Sequence, residues 1–282
     1  MKKIFILLTL LLAAQAAFAQ SVPELLVPAD ARALSMGGVA LQPDANKLDV
    51  KAFYGMWAPG SARNTLVGGD AFFRAGERVN ITVEGRAFMD KSYDSASATS
   101  QVTGAFRPLS WIAGAGVSFG ISEAFAVGVK ARMVSSAIAE TAKGSAFCGD
   151  VYASYTGGIV SASVGVRNLG SKINYGGASS YSLPALAAVQ GSVKPLNGFT
   201  VGAEVDYLFE GALMAGLGLE YCIADIVSLR GGFHYGDAAK AMPTYASLGL
   251  GVQFAGFHLD AAFLTASKTL GNTLMVSLGY AF

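Results

Sequence analysis

The sequence alternates between apolar and other side chains over residues 196–235, LNGFTVGAEVDYLFEGALMAGLGLEYCIADIVSLRGGFHY. This stretch reads as three segments of about ten residues, separated by short breaks. In the second segment every odd-numbered position over 213–221 is apolar, whereas the positions between them hold methionine, glycine and glutamate. Because strand side chains alternate between faces, each segment has one apolar face and one face with glycine and charge. Repeated strands of this kind predict a membrane-spanning β-barrel with a polar lumen.

The composition of the chain agrees with a barrel. Of its 282 residues, 52% are hydrophobic and only 14% are charged. Despite this apolar content, no apolar run after the first 19 residues is long enough to span a bilayer as a helix. A closed barrel is the other structure that can cross lipid, because it satisfies all its backbone hydrogen bonds between strands.

Residues 1–19 are predicted to be a secretory signal peptide. Two lysines precede an apolar core at 4–14, and a small-x-small cleavage site follows at 17–19. Cleavage there starts the mature chain at Gln20, and the absence of a cysteine at that position disfavours a lipoprotein. The mature chain then has 18 basic and 19 acidic residues, so its charge gives no case for nucleic acid as a partner.

Residues 20–62 differ from the rest of the chain because four prolines interrupt any long element. Proline cannot donate a ladder hydrogen bond, so strands are not expected here. Asp30 is placed to cap a short helical turn over 31–36, which Gly37 and Gly38 would end. Two interpretations remain open, a periplasmic tail or a plug folded into the lumen. The many apolar residues favour the plug.

Residues 63–282 are predicted to form the transmembrane antiparallel β-barrel of about 14 strands. The predicted strands are 63–74, 78–90, 93–106, 111–121, 123–137, 147–156, 159–168, 183–194, 198–209, 212–221, 225–235, 243–254, 257–267 and 272–282. Such barrels have short periplasmic turns and longer outer loops. If Phe282 ends at the periplasm, the longer loops include Ile138–Ala146 and Leu169–Tyr181.

Charged side chains of both signs lie on the inward faces of the predicted strands. The candidate residues of this luminal charge network are Glu84, Arg86, Lys130, Arg132, Asp150, Arg167, Glu204, Asp206, Glu220, Arg230 and Asp260. A half-buried charge needs a partner, because desolvating it alone costs several kcal/mol. We therefore expect mainly a structural network that holds plug and barrel together. A path for a substrate or an ion is the alternative.

No residue pattern indicates an enzyme, a metal site or a cofactor. His234 and His258 lack metal-ligand spacing, and no side chain is marked as an activated nucleophile. Cys148 and Cys222 are 74 residues apart and do not make a disulfide framework. Glycine-rich pieces such as 114–116 lie inside predicted strands with no helix after them, so they predict no nucleotide site.

Four stretches are spaced in order over nearly the whole mature chain. They are ARALSMGG at 31–38, VGVRNLG at 164–170 with Leu183-Pro184 after it, GLEYCIADIVSLRGGFHYGD at 218–237, and the ending from Leu248 through LGNTLMVSLGYAF. Together they resemble the PorV/PorQ family of outer-membrane proteins, which is linked to type IX secretion in Bacteroidota. The resemblance implies a FadL-like fourteen-stranded barrel in the outer membrane of a Gram-negative bacterium.

The resemblance also implies a non-enzymatic role in type IX protein secretion. The partners would be outer-membrane lipid and secretion subunits or cargo proteins, which the outer loops 138–146 and 169–181 would dock at the cell surface. The FadL-like fold permits a second function, a transporter of small hydrophobic molecules with an apolar pocket behind the N-terminal segment. A purely structural role is a third possibility, because a fold does not determine a function.

Overall fold

The structure, a computed structural model, describes residues 21–41, 48–60, 63–96 and 102–282. The predicted signal peptide, residues 1–19, lies outside the described residues. Within them the chain is almost all β, and fourteen strands form one closed antiparallel barrel. The prediction of an all-β, antiparallel barrel of about 14 strands is confirmed.

Eighteen strands run in chain order through the described residues. They are β1 (Leu48–Trp57), β2 (Asn64–Ala75), β3 (Val79–Met89), β4 (Tyr93–Ala96), β5 (Val102–Phe106), β6 (Leu109–Gly120), β7 (Phe125–Ala139), β8 (Ala142–Gly157), β9 (Val160–Gly170), β10 (Ile173–Asn174), β11 (Ser180–Tyr181), β12 (Leu186–Leu196), β13 (Phe199–Leu208), β14 (Ala212–Ile223), β15 (Val227–Gly236), β16 (Tyr245–Phe254), β17 (Phe257–Thr265) and β18 (Leu274–Ala281). The hairpins β4–β5 and β10–β11 form two small separate sheets, and the other strands form the barrel. Pairing of β1 with β18 closes it.

A short 3-10 turn (Pro23–Leu26) and a one-turn helix, α1 (Ala31–Ser35), precede the barrel. The Asp30 carboxylate accepts a hydrogen bond from the Ala33 N–H at 2.8 Å, so it caps α1 as the sequence predicts. Gly37 and Gly38 both have positive φ and end the helical turn. No helix in the described residues is long and apolar enough to cross a membrane.

The barrel begins one strand earlier than the sequence predicts. Residues 48–57 form β1, which pairs with β2 and β18, so the start of the barrel at residue 63 is wrong. The physical reason is local, because Pro43 and Pro59 flank this strand and no proline lies inside it. Conversely, the predicted strand 93–106 is the hairpin β4–β5, which is paired only with itself. The two errors cancel in the count of fourteen.

The connections between strands alternate in length. At one end, here called the terminal end, Leu48 and Phe282 exchange backbone hydrogen bonds, and tight turns such as 158–159 join the strands. At the opposite loop end the connections include 90–108 and 171–185. The prediction of a loop over Ile138–Ala146 is wrong, because β7 and β8 continue pairing until Ala139 meets Ala142.

The outward face of the barrel is apolar and exposed, whereas the inward face holds the buried charges. Val151, Leu217 and Phe233 point outward and are 63%, 52% and 50% exposed. Glu204 and Glu220 point inward and are only 5% exposed. An apolar belt around a closed ladder needs lipid as its solvent, because so much exposed apolar surface is unfavourable in water.

We predict that Ala52→Pro in β1 abolishes barrel formation. Ala52 is paired on both sides, with Gly69 and Leu278, so a proline there breaks the ladder at its closure. Asp94→Pro is the matched control, because Asp94 lies in the separate β4–β5 hairpin. The measurement is the difference in gel migration between heated and unheated protein in detergent. Loss of the folded band in the Asp94 variant alone would instead support the strands predicted from sequence.

Candidate functional site

The N-terminal segment, residues 21–41, crosses the lumen of the barrel. At the loop end, the Ser21 N–H donates to the Ser182 carbonyl at 3.1 Å, and the Ser21 and Tyr175 hydroxyls are 2.7 Å apart. In mid-barrel, a side chain at Gly218 would place a Cβ only 2.8 Å from that of Met36. Glycine on this inward face therefore lets the segment lie directly against the wall.

Two ion pairs hold α1 to the wall. Arg32 binds Glu220 of β14 in a bidentate contact, with N–O distances of 2.7 and 3.0 Å. Lys51 of β1 binds Asp30 at 2.6 Å. Each wall residue has a second partner in the wall, because Arg230 also binds Glu220 and Asp70 lies 3.5 Å from Lys51. The wall charges therefore do not depend on the segment alone.

The segment continues from α1 along the inward faces of β12 and β13. The Ala40 N–H donates to Glu204 at 3.2 Å, and the Gln190 side-chain amide donates to the Ala40 carbonyl. The Ser247 hydroxyl accepts from the Gly37 N–H at 3.2 Å. These contacts satisfy backbone groups that have no secondary-structure partner of their own.

Two carboxyl groups of the segment respond to pH in opposite directions. Burial by itself would raise the pKa of Asp30, but the Lys51 charge and the Ala33 N–H hold it below its ordinary value of 3.8. The stability that Asp30 contributes is therefore present above that value and is lost as the pH falls. Burial raises the pKa of Glu24 above its ordinary 4.5, so the contribution of Glu24 declines as the pH rises past 4.5.

The structure groups the candidate network residues into three clusters. The first cluster contains Glu84, Arg86, Lys130, Arg132 and Asp150. Arg132 donates to Glu84 at 2.5 Å and to Asp150 at 2.7 Å, and Lys130 lies 3.2 Å from Glu84. Arg86 donates to a backbone carbonyl of the N-terminal segment at 2.8 Å.

The second cluster contains Arg167, Glu204 and Asp206. Arg167 donates to Glu204 at 2.5 Å and lies 4.0 Å from Asp206. The bulge in β9, where Asn168 has a φ of 58°, brings Arg167 and Asn168 toward the lumen together. The Asn168 amide then donates to the Pro184 carbonyl at 3.1 Å and its N–H to Asp150 at 2.9 Å. The bulge links the first two clusters.

The third cluster contains Glu220, Arg230 and Asp260. Arg230 donates to both carboxylates at 2.5 Å, and His258 lies 3.7 Å from Asp260. His258 also contacts Asp49 at 3.0 Å. This cluster lies at the terminal end of the lumen, beside α1.

Sequence reasoning missed several residues of the site. Asp30 was assigned only to helix capping, and Arg32, Asp49 and Lys51 were not assigned to the network at all. Asp49 and Lys51 lie in β1, which the sequence does not predict because prolines flank it. The alternation of β1 itself, LDVKAFYGMW, is the signal that could have found them, because its charges share one face with Phe53.

The described residues line two cavities in the lumen, each lined by different residues of the N-terminal segment. The central cavity has a volume of about 330 Å³ and is lined by the segment and by the first two clusters, with Leu186, Met214 and Met242 among its apolar residues. The vestibule, of about 730 Å³, lies at the terminal end and is lined by the third cluster together with Asp30 and Arg32. The segment therefore separates a mixed apolar and charged cavity from a polar opening.

No protein-family model matches the sequence, and no curated protein matches it either. Among solved structures, the chain is similar to the toluene transporter TbuX of Ralstonia pickettii, with 12% identity, a TM-score of 0.62, and 91% of this chain and 99% of that one covered. The chain is also similar to the P. putida toluene transporter TodX, with 10% identity and a TM-score of 0.62. The match covers 91% of this chain and 99% of TodX. A third similar structure is a Pseudomonas aeruginosa FadL homologue, with 11% identity and a TM-score of 0.53. This match covers 92% of this chain and 95% of the homologue. The chain has the FadL-like barrel fold. At these identities the likeness concerns the fold alone.

We predict that Glu220→Ala destabilises the barrel more than Arg32→Ala. The first change removes the carboxylate that Arg32 and Arg230 both bind, and breaking a buried pair in this way costs about 3–5 kcal/mol. The second change leaves Glu220 with Arg230 and costs less. Urea-induced unfolding in lipid vesicles measures both free energies of unfolding. Equal losses would contradict the sharing of Glu220.

Proposed function

We propose that the protein is an outer-membrane channel for small, largely apolar molecules. The observation that carries this proposal is the central cavity, which is lined by both the N-terminal segment and the barrel wall. Its volume falls in the lower range of ligand pockets, about 300–1,000 Å³. The FadL-like fold supports the proposal, since solved structures with this fold include two toluene transporters.

The lining of the cavity suits a small ligand with an apolar body. The N-terminal segment contributes Leu25, Leu26 and Leu41, and the wall contributes Leu186 and Met214. Transport predicts an apolar pocket behind the N-terminal segment, and the apolar part of the central cavity occupies that place. Charged residues line the remainder, so the ligand contacts both kinds of surface.

The N-terminal segment is the barrier between the cavity and the vestibule. Pro28 and Ala29 line the cavity, whereas Asp30 and Arg32 line the vestibule. Movement of this segment would join the two spaces and open a route toward the terminal end. Because the ladder of the barrel is paired on every side, this axial route needs no change in the wall.

Shared ion pairs lower the cost of that movement. When α1 leaves, Glu220 keeps Arg230 and Lys51 keeps Asp70. Glu204 loses the Ala40 N–H but keeps Arg167 at 2.5 Å. The movement therefore leaves none of these wall charges buried without a partner, which is the costly outcome for an ion in low dielectric.

Uptake of radiolabelled toluene by cells that carry the barrel tests this function. We expect initial uptake to exceed that of cells without the barrel, and Ala188→Phe to reduce it several-fold by filling the central cavity. Ala187→Phe is the matched control, because the neighbouring residue points away from the lumen. Both variants are first checked for the folded band on an unheated gel. Uptake no higher than in cells without the barrel would overturn the proposal.

Type IX protein secretion is the second candidate, and the PorV/PorQ resemblance supports it. The specific observation in its favour is the presence of two small sheets outside the barrel ladder at the loop end. The hairpin β4–β5 presents Tyr93, which is 43% exposed, and the connection 171–185 carries the small sheet β10–β11. Secretion subunits or cargo proteins would dock on these elements, with lipid around the barrel in the outer membrane of a Bacteroidota cell.

Deletion of the gene separates the two functions. If secretion is the function, we expect type IX cargo proteins to be absent from the culture medium after deletion, because the docking elements are lost. The Ala188→Phe barrel would then restore secretion fully, whereas a barrel with a shortened β4–β5 hairpin would not. Mass spectrometry of the culture medium measures the outcome. A secreted proteome that deletion leaves unchanged would count against this second candidate.

A further inference from the structure

One carboxylate in the central cavity lacks a cation of its own. Glu204 accepts hydrogen bonds from the Arg167 guanidinium at 2.5 Å and from the Ala40 N–H at 3.2 Å. Asp206 is left 4.0 Å from Arg167, and its Oδ1 atom is buried without a hydrogen-bond partner among the described residues. Glu204 and Asp206 therefore have one guanidinium between them, that of Arg167, and it is hydrogen-bonded to Glu204.

The strands beside Asp206 offer it no polar partner. Ala188 of β12 and Met214 of β14 are its direct neighbours across the ladder, and both are buried and line the cavity. The Asp206 side chain is itself only 13% exposed. An ionised carboxylate in such surroundings is costly unless a positive charge approaches it.

The first cluster, which also lines the central cavity, does not lack cations in the way that the second cluster does. The first cluster has three cations, Arg86, Lys130 and Arg132, for the two carboxylates Glu84 and Asp150. Its extra cation faces a further carboxylate, because Glu24 of the N-terminal segment lies close enough to Arg86 to interact electrostatically. In the second cluster, Arg167 is the one cation among the described residues within 4.0 Å of the two carboxylates.

We infer that Asp206 recognises a positively charged amine on an otherwise apolar ligand. The ammonium group would bind the free carboxylate, and the apolar body would pack against Ala188 and Met214. An ammonium neutralises the charge and donates a hydrogen bond, whereas an alcohol only donates and a carboxylate is repelled. This inference rests on the proposed function, because it concerns the same cavity and assigns it a class of substrate, small apolar amines.

Four probes with the same ring and different polar groups test the inference. They are benzylamine, benzyl alcohol, toluene and phenylacetate, each titrated calorimetrically into the purified full-length barrel, with the heats of empty micelles subtracted. At neutral pH we expect benzylamine to bind at least about tenfold more tightly than toluene and phenylacetate to bind most weakly. Phenylacetate binding as tightly as benzylamine would overturn the inference.

Asp206→Asn is the decisive variant, because it keeps the shape of the side chain and removes only its charge. We expect benzylamine to bind this variant about tenfold more weakly, with toluene binding unchanged. Asp237→Asn, in an exposed turn at the loop end, is the matched control and should bind all four probes as the parent does. The folded band on an unheated gel confirms that both variants form the barrel.

The outcomes separate this inference from the function on which it rests. If toluene binds but benzylamine has no advantage that depends on Asp206, the amine inference is wrong and the channel function stands. If none of the four probes binds a folded barrel, both are wrong. A loss of toluene and benzylamine binding together in Asp206→Asn would show that Asp206 shapes the cavity without recognising an amine.

Discussion

The lumen of this barrel depends on carboxylates that each bind two partners. Glu220 accepts from Arg32 of the N-terminal segment and from Arg230 of the wall, both within hydrogen-bond distance. A buried ion costs several kcal/mol without compensation, so this sharing keeps the wall satisfied whether or not the segment is in place. The segment is consequently attached by strong contacts that can be released without leaving a wall charge alone.

The same principle distinguishes the parts of the lumen. Around α1 and in the first cluster, every carboxylate of the network has at least one cation within salt-bridge distance at 3.2 Å or less. Asp206 is the exception within the network, at 4.0 Å from a guanidinium that already binds Glu204. Among the network carboxylates of the central cavity, Asp206 is therefore the one whose charge is available for a ligand.

Much of the barrel could be predicted because alternation is a local property. The segments over 196–235 contain their own evidence for strands, and the structure places β13, β14 and β15 there. The sequence does not reveal the first strand, because prolines outside it, such as Pro59, argue against strands in the whole region. The segment 93–106 was counted in its place, since a hairpin outside the barrel has the same local propensity for extended backbone as a strand within it.

The sequence by itself determined the class of fold, the two faces of each strand and the helix cap at Asp30, because neighbouring residues decide these features. Only the tertiary structure decided which charges meet. Arg32 and Glu220 are 188 positions apart in the chain, and their contact requires the closed ladder, its register and the path of the N-terminal segment together. The same geometry leaves Asp206 without a close cation, because the Arg167 guanidinium lies beside Glu204 and 4.0 Å from Asp206.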